Sequence, residues 1–370
     1  MTVVIPAPSS PILSGAPLPP SDPDHFILPD LVGHCNFPLA FHPHGYLVAT
    51  ESVQWLDAGC PELSPKARGA LYGLQAGELT AFCYPYCSSD RLQVVSDFMN
   101  YLFHLDNISD GMMHTGTEEL ADTVMNALWY PDRYMPTEAP GKEQPVVEVS
   151  AGKLARDFWT RCTREAKPGV QARFKENFEL FFETVNQQAR DRDAQVIPDL
   201  ESYISMRRDT SGCKPTFDLI EYAMNIDLPE FVVRHPVIHA LNQGANDLVT
   251  WSNDIFSYNV EQSRGDTHNM IVILMQLRGF DLQTAVDFVG ELCRQTIDTF
   301  VENQQNVPSF GPKLDRDVAL YVQGLQDWIV GSLHWSFMTQ RYFGKEGAEV
   351  KMHRVVKLLP RRTPCSPTDV

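Results

Sequence analysis

An amide, a hydroxyl and a carboxylate recur at four-residue intervals within the segment NDIFSYNVE, residues 253–261. On a helix, Asn253, Ser257 and Glu261 would lie along one face over about two turns. Their oxygen atoms suit a hard divalent cation such as Mg²⁺. The apolar Val249 shares this face, which indicates that the three polar groups point toward a core. Ordinary exposed residues of a helix would show the same spacing, so the interpretation needs a second element.

A short acidic segment, DNISD at residues 106–110, provides that element. It follows a stretch with helical periodicity, and Asp106 continues the apolar stripe to which Met99 belongs. Its carboxylate should therefore point inward, where an unpaired charge is costly, so a cation or a cavity is expected beside it. Asp110 ends the segment. Alone, two such aspartates would usually mark a solvated helix end, but beside the first face they predict a two-sided metal clamp.

Two adjacent arginines open the segment RRDTSG, residues 207–212. The Ser211–Gly212 pair, with Pro215 close behind, predicts a helix that is interrupted and then restarted. Such a break exposes backbone groups, and an arginine beside it, here Arg208, can hold a phosphate through two parallel hydrogen bonds. A plain surface arginine pair near a helix end is the alternative.

A basic residue and a phenol close the last strongly periodic segment, at Arg341 and Tyr342. Trp328, Trp335 and Tyr342 follow a seven-residue spacing, which places them on one stripe of a helix. Aromatic stripes of this kind usually belong to a core. Arginine and tyrosine at its inner end could also donate hydrogen bonds to a diphosphate.

The bulk properties restrict the class of protein. A net charge of −17 argues against nucleic acid and against an anionic membrane surface. The 8 cysteines form no CxxC pair, which favours a reduced, cytoplasmic chain. No secretory signal and no segment able to span a bilayer is evident. The pairs His42/His44 and His235/His239 lack a further ligand at zinc-binding spacing, so zinc is not expected.

Helical periodicity recurs along the chain without β-rich stretches or internal repeats, which predicts a single all-α domain. The Pro-rich residues 1–25 are predicted to be a flexible arm, 26–345 the domain, and 346–370 a tail that is partly disordered without ligand. Loops are expected at 131–145 and 305–312. Helices are predicted at 68–82, 89–106, 116–130, 152–164, 169–192, 199–209, 216–225, 237–262, 266–277, 281–303 and 315–343.

The ordered set DNISD, RRDTSG, NDIFSYNVE and RY resembles the class I terpene synthases, and most closely fungal sesquiterpene synthases of the basidiomycete type. The resemblance covers roughly residues 26–345. It implies a single helical bundle around an apolar active-site cavity, with three Mg²⁺ ions at its mouth and Mn²⁺ as a substitute. Asp106 would hold two ions, with Asp110 nearby, and Asn253, Ser257 and Glu261 would hold the third.

The same resemblance assigns the basic elements to the diphosphate of the substrate. Arg208 matches the diphosphate-sensing arginine, and Ser211 and Gly212 match the linker and effector positions at the helix break. Arg341 and Tyr342 match the pair that hydrogen-bonds the leaving group.

Aromatic walls of the pocket are implied at Phe103 and Trp335. Two departures from the family pattern are Asn107, where many relatives carry a second acid, and Val260, where several have a lysine that contacts diphosphate. Arg264 could take the place of that lysine.

The implied reaction is ionisation of farnesyl diphosphate, release of diphosphate and steering of the carbocation to a terpene. A cadinane-type product, formed through nerolidyl diphosphate and 1,10 ring closure, is the first expectation. An acyclic alcohol is the alternative, either nerolidol or, from geranyl diphosphate, linalool. A chain-elongating prenyltransferase should carry two DDxxD elements, and a non-catalytic helical binding protein would not need both metal faces. A monomer or weak homodimer is expected.

Overall fold

The computed structural model of the chain describes residues 24–138, 144–194 and 196–362. This part of the chain consists of α-helices with one two-stranded sheet, which confirms the all-α prediction. The strands are β1 (His25–Ile27) and β2 (Val355–Lys357), and a 3₁₀ turn spans Gly344–Glu346. The helices are α1 (Leu31–His34), α2 (Gly45–Gly59), α3 (Pro65–Leu74), α4 (Ala76–Cys83), α5 (Ser89–Ser109), α6 (His114–Trp129), α7 (Ser150–Thr163), α8 (Pro168–Asp193), α9 (Leu200–Thr210), α10 (Cys213–Met224), α11 (Glu230–Val233), α12 (Pro236–Arg264), α13 (Met270–Arg278), α14 (Leu282–Gln305), α15 (Pro312–Trp335), α16 (Gln340–Phe343) and α17 (Gly347–His353).

The bundle is organised around α12, a helix of 29 residues. This helix packs against α9, α10, α13, α14 and α15. Its length follows from a favourable start and a clear stop. Pro236 occupies the first turn, where its missing N–H costs nothing, and Gly265 ends the helix with a φ of 80° that suits glycine.

Two segments that periodicity predicts as continuous helices are broken in the structure. The 68–82 segment splits at Gln75, whose φ of 58° lies in the left-handed region. The 315–343 segment ends at Trp335 and restarts at α16 after Thr339, whose side chain caps the new helix. The indole Nε1 of Trp335 donates to the carbonyl oxygen of Gln75 over 2.8 Å, so a tertiary contact joins the two breaks.

The C-terminal segment differs from the predicted tail. Residues 347–353 form α17, and β2 pairs with β1 in an antiparallel register that places Phe26 opposite Val356. Both of these residues are buried, so the sheet is joined to the core. Ordered structure therefore extends past residue 345. The sequence pattern did not show it, because a strand of three residues carries no periodicity. The predicted arm lies outside the described residues up to position 23, as does the tail after 362.

Helix α2 and the short helices α1 and α11 were not predicted. No helix in the described ranges is long and apolar enough to cross a bilayer.

Candidate active site

Two adjoining cavities open between α5, α9, α12 and the α15–α16 region. The deeper one, about 830 Å³ including its open end, is lined mainly by apolar and aromatic side chains such as Leu79, Met99, Phe181 and Trp328. The outer one, about 730 Å³ on the same measure, is lined mainly by charged and polar groups. We call the deeper one the inner cavity and the outer one the mouth. Five residues line both: Asp106, Arg207, Thr210, Asn253 and Arg341.

One wall of the mouth is the predicted ligand face of α12. Asn253 and Glu261 line the mouth, and Ser257 lies buried between them on the same helix. The amide of Asn253 donates from Nδ2 to the hydroxyl of Tyr342 over 2.6 Å. Its Oδ1 accepts from Nη2 of Arg207 over 2.8 Å. The amide of Asn253 therefore connects the α12 face to Arg207 of RRDTSG and to Tyr342 of the RY pair.

The donor set of this wall fits a hard cation. The hydroxyl of Ser257 is buried and makes no hydrogen bond of normal geometry within the described residues, although it lies close enough to Glu261 to lower the pKa of that carboxyl. Burial, followed by the neighbouring carboxylates of Asp266 and Asp254, raises the pKa of Glu261 to about 8. A divalent cation would use the orphaned hydroxyl and compensate the carboxylate. In the described part of the chain, no three His, Cys, Asp or Glu side chains cluster as a metal site, so a cation on this wall would also need the amide and hydroxyl oxygens.

The opposite wall is the end of α5. This helix continues to Ser109, three residues past its predicted end, so Asp106 lies within the last turn and Asp110 at its C-cap. Both aspartates line the mouth. The carboxylate of Asp106 accepts from Nη2 of Arg341 over 2.7 Å, and Nη1 of Arg341 donates to Oδ1 of Asn107 over 3.0 Å. A predicted metal ligand and a predicted diphosphate ligand are thus paired with each other across the mouth.

The two arginines of RRDTSG have different surroundings. Arg208 lines neither cavity and instead pairs with Asp247, through contacts of 2.6 and 2.8 Å. Arg207 lines both cavities and contacts Asn253 and Asp254. Adjacent residues on a helix point about 100° apart, which lets these two arginines meet different partners.

The helix break lies at the predicted position and lines the inner cavity. Gly212 has a φ of 70°, which strains any other residue, and a Cβ there would approach Cδ2 of Leu102 to 2.8 Å, so the Leu102 side chain would have to shift. The hydroxyl of Ser211 donates to Oδ1 of Asn246 over 3.0 Å. The amide of Asn246 in turn donates to the backbone carbonyl of Arg208 over 2.8 Å. Asn246, on α12, therefore holds the end of α9 at the break, a role that the motifs did not indicate.

The two predicted aromatic walls, Phe103 and Trp335, both line the inner cavity. Their ring centroids are 5.6 Å apart, and the Trp335 ring lies 5.9 Å from that of Tyr342 at an interplanar angle of 87°. The guanidinium of Arg341 lies 5.4 Å from the centre of the Phe103 ring. Aromatic faces and the basic residues of the mouth are thus in direct contact at the boundary between the two cavities.

Several mouth residues were missed by sequence reasoning: Arg192, Arg207, Asp266 and His268. Arg207 could have been found from its neighbour, whereas Arg192, Asp266 and His268 belong to no recognised motif. Arg264, suggested as a replacement for a family lysine, is exposed and lines neither cavity.

Comparison with known proteins agrees with this geometry. Residues 97–299 match a family described as terpene synthase family 2, C-terminal metal binding. Sesquiterpene synthase Agr3 of Cyclocybe aegerita is 68% identical over 92% of this chain and 96% of its own length. Alpha-muurolene synthase of Coprinopsis cinerea is also 68% identical, over 91% of this chain and 78% of its own. The solved structure of hedycaryol synthase shares the fold, with a TM-score of 0.71 at 21% identity over 84% of this chain and 98% of that one.

A helical bundle with a metal-binding mouth over an apolar cavity defines a class I terpene synthase. The chain belongs to this family, within the fungal sesquiterpene synthases. It is accordingly a lyase that acts on a prenyl diphosphate and uses a divalent metal.

Proposed function

We propose that the protein is a Mg²⁺-dependent synthase that converts farnesyl diphosphate into a cadinane-type sesquiterpene. The observation that carries the proposal is the direct contact between an aromatic cavity and a charged mouth, which share five lining residues. A prenyl diphosphate has the same division, with an apolar chain and an anionic head. Its head would occupy the mouth while its chain fills the inner cavity.

The residues proposed to hold three Mg²⁺ ions are those of the two mouth walls. Asp106 would bind on the α5 side, with Asp110 beside it, and Asn253, Ser257 and Glu261 would bind on the α12 side. The bound cations would bring the diphosphate to an acidic mouth and stabilise its negative charge as the C–O bond breaks. Mn²⁺ should substitute, because it accepts the same oxygen ligands.

Ionisation would further depend on the arginines and the tyrosine of the mouth. Arg207, Arg341 and Tyr342 would donate hydrogen bonds to the departing diphosphate. Arg341 would offer its remaining N–H donors to the phosphate oxygens or release Asp106 for them. We propose that Arg208 acts indirectly, since its guanidinium pairs with Asp247 and its carbonyl oxygen accepts from Asn246.

The carbocation would be controlled by the inner cavity. Phe103 and Trp335 present aromatic faces that can stabilise a cation by about 0.5–2 kcal/mol each. Ser211 and Gly212, at the α9–α10 break, lie on the cavity wall and would orient backbone groups toward the reacting chain. A closed, largely apolar cavity also excludes water, which would otherwise capture the cation.

The proposed product class draws on the relative named alpha-muurolene synthase, which is 68% identical to this chain. A cadinane-type skeleton would follow from isomerisation to nerolidyl diphosphate and 1,10 closure. An acyclic alcohol, nerolidol or linalool, would result if water reached the first cation.

The test is incubation of the purified protein with Mg²⁺ and either farnesyl or geranyl diphosphate. Products are identified by gas chromatography with mass spectrometry, and released diphosphate is measured in parallel. Farnesyl diphosphate should give a bicyclic hydrocarbon with matching diphosphate release, which EDTA abolishes and added Mg²⁺ restores. Acyclic alcohols would select the second product class. Longer prenyl diphosphates in the presence of isopentenyl diphosphate, or no diphosphate release at all, would refute the proposal.

A further inference from the structure

The mouth contains one arginine whose charge is not neutralised by an ion pair. Arg207 pairs with Asp254 over 3.1 Å, and Arg341 pairs with Asp106 over 2.7 Å. Arg192 also lines the mouth, but among the described residues its guanidinium pairs with no carboxylate; its hydrogen bonds go to backbone carbonyls. It is therefore a cation in the mouth that needs no exchange of partners before it can bind an anion.

The side chain of Arg192 is bound to backbone carbonyls of the α5 wall. It lies in the last turn of α8, and its Nη2 donates to the carbonyl oxygens of Met112 over 3.1 Å and of Ser109 over 3.4 Å. Those carbonyls lie at the end of α5 and just after it, next to Asp106 and Asp110. Both bonds use a single nitrogen. A guanidinium carries five N–H donors in a planar fork, so the donors on Nη1 and Nε are available to a ligand.

A second polar group of the mouth is also available to a ligand. Nε2 of His268 is buried and makes no hydrogen bond within the described ranges, although His268 lines the mouth. Buried polar atoms without partners are uncommon in folded proteins and call for a specific explanation. An anion bound in the mouth would meet this nitrogen and the free side of Arg192.

We propose that Arg192 is a further substrate-binding residue that holds the diphosphate group from the α8 side of the mouth. Its planar fork matches phosphate oxygens, which lysine or an amide cannot bind bidentately. The contacts with Ser109 and Met112 give it a second effect, because they join the bound diphosphate to the end of α5. Binding the anion would thus also fix the wall that carries Asp106. This inference rests on the proposed function, since it takes a prenyl diphosphate as the ligand.

The test compares three variants with the wild type: Arg192→Gln, Arg192→Lys and Arg190→Gln. Arg190 is the matched control, because it lies on the same turn of α8 but is exposed and pairs with Glu118. The probe is inorganic diphosphate with Mg²⁺, measured by calorimetric titration. Arg192→Gln should weaken diphosphate binding about tenfold, because it removes a charge-assisted hydrogen bond. Arg192→Lys keeps the charge but loses the planar fork, so it should recover only part of that loss, and Arg190→Gln should bind like the wild type.

Steady-state kinetics with farnesyl diphosphate separate binding from a structural role. The proposal expects Arg192→Gln to raise KM by a similar factor while its unliganded melting temperature stays near that of the wild type. Arg192 would be merely structural if Arg192→Gln melted earlier but bound diphosphate normally, or if the lysine and glutamine variants lost affinity equally. Either result overturns the proposal.

Hydrogen exchange of the wild type gives a measurement that does not depend on any variant folding. Mg²⁺ and diphosphate should slow amide exchange in the last turn of α8, residues 190–193, which carries no other proposed ligand. Unchanged exchange there would also overturn the proposal. Because these binding measurements need no turnover, they can succeed even if the protein forms no sesquiterpene. If the wild type makes sesquiterpene and the Arg192→Gln variant binds diphosphate as tightly as the wild type, this inference alone is refuted.

Discussion

The two walls of the mouth hold their ligands in different ways. On α12, Ser257 is buried inside a helix of 29 residues. Behind it, the amide of Asn259 is tied to the C-terminal strand, donating to the carbonyl of Lys357 and accepting from the N–H of Leu359, both over 2.8 Å. On α5, the side chain of Asp106 is 41% exposed, lies in the last turn of its helix and is bound to Arg341.

This difference indicates that the α12 wall is formed before any ligand arrives, whereas the α5 wall is completed by it. A helix end frays more easily than a helix centre that is packed on several neighbours. Asp106 also accepts from Arg341 through Oδ2, so a bound cation must share this carboxylate with Arg341 or displace it. The two walls should therefore respond differently to mutation, to pH and to ligand, and each response can be measured.

The largest effect is expected from removing one ligand on either wall. Glu261→Ala and Asp106→Asn should each reduce turnover of farnesyl diphosphate by about a hundredfold or more, because a bound metal contributes several kcal/mol to such a transition state. Both should keep the wild-type circular dichroism spectrum. Near-normal rates in either variant would refute a metal site with two sides.

The next effect concerns the two adjacent arginines. Arg207→Ala should slow diphosphate release about a hundredfold, since it removes a donor aimed at the mouth. Arg208→Ala should mainly lower stability, by about 3 kcal/mol, because it leaves the buried Asp247 without its partner. Arg207→Ala should also melt earlier, because it unpairs the buried Asp254, so single-turnover release by the folded variants is the measurement that distinguishes these roles. If Arg208→Ala released diphosphate slowly but melted like the wild type, the motif-based prediction that Arg208 senses the diphosphate would stand.

A smaller effect is expected at the exposed end of α5. Asp110→Asn should lower the rate by about tenfold or less, because Asp106 lies on the inward stripe and Asp110 caps the helix. Parallel kinetics of Asp106→Asn provide the comparison. Equal losses in the two variants would mean that both aspartates bind metal directly.

The pH dependence of stability sharpens the contrast between the walls. Since the pKa of Glu261 is raised from 4.5 to about 8, the folded state holds a proton that the unfolded chain releases. Its contribution to metal-free stability is complete below pH 4.5 and is lost as pH rises to about 8. Mg²⁺ binds the ionised form, so the rise in melting temperature caused by Mg²⁺ and diphosphate should be greater at pH 8.5 than at 6.5. Glu261→Gln should remove the part of this pH dependence that comes from Glu261. If the ligand-induced rise in the melting temperature of the wild type were no larger at pH 8.5 than at 6.5, the prediction would be contradicted.

The smallest effect on rate is expected in the inner cavity. Trp335→Ala should change diphosphate release by less than about threefold, because Trp335 acts after ionisation and each cation–π contact is worth about 0.5–2 kcal/mol. The enlarged cavity should give more acyclic or monocyclic product. Gas chromatography of wild-type and variant products is the measurement, with Phe103→Ala as a second wall. An unchanged product mixture would make Trp335 ordinary core.

The contributions of sequence and tertiary structure can be separated at particular residues. The ligand face of α12 could be predicted because a four-residue repeat of oxygen-bearing side chains is a property of one helix. The break at Gly212 could also be predicted, since local backbone preferences at serine, glycine and proline create it. The breaks at Gln75 and after Trp335 could not, because no glycine or proline stands at either break and the hydrogen bond that joins them links residues 260 positions apart.

By itself, then, the sequence determined the class of fold, the ordered motifs and the chemistry of the α12 wall, all of which arise from local periodicity and side-chain type. Tertiary structure alone decided that Arg207 faces the mouth while Arg208 pairs with Asp247. It also brought Arg192 to the mouth and joined β2 to β1. Such outcomes depend on how helices rotate and pack against one another, and neighbouring residues of the same type cannot be distinguished until that packing exists.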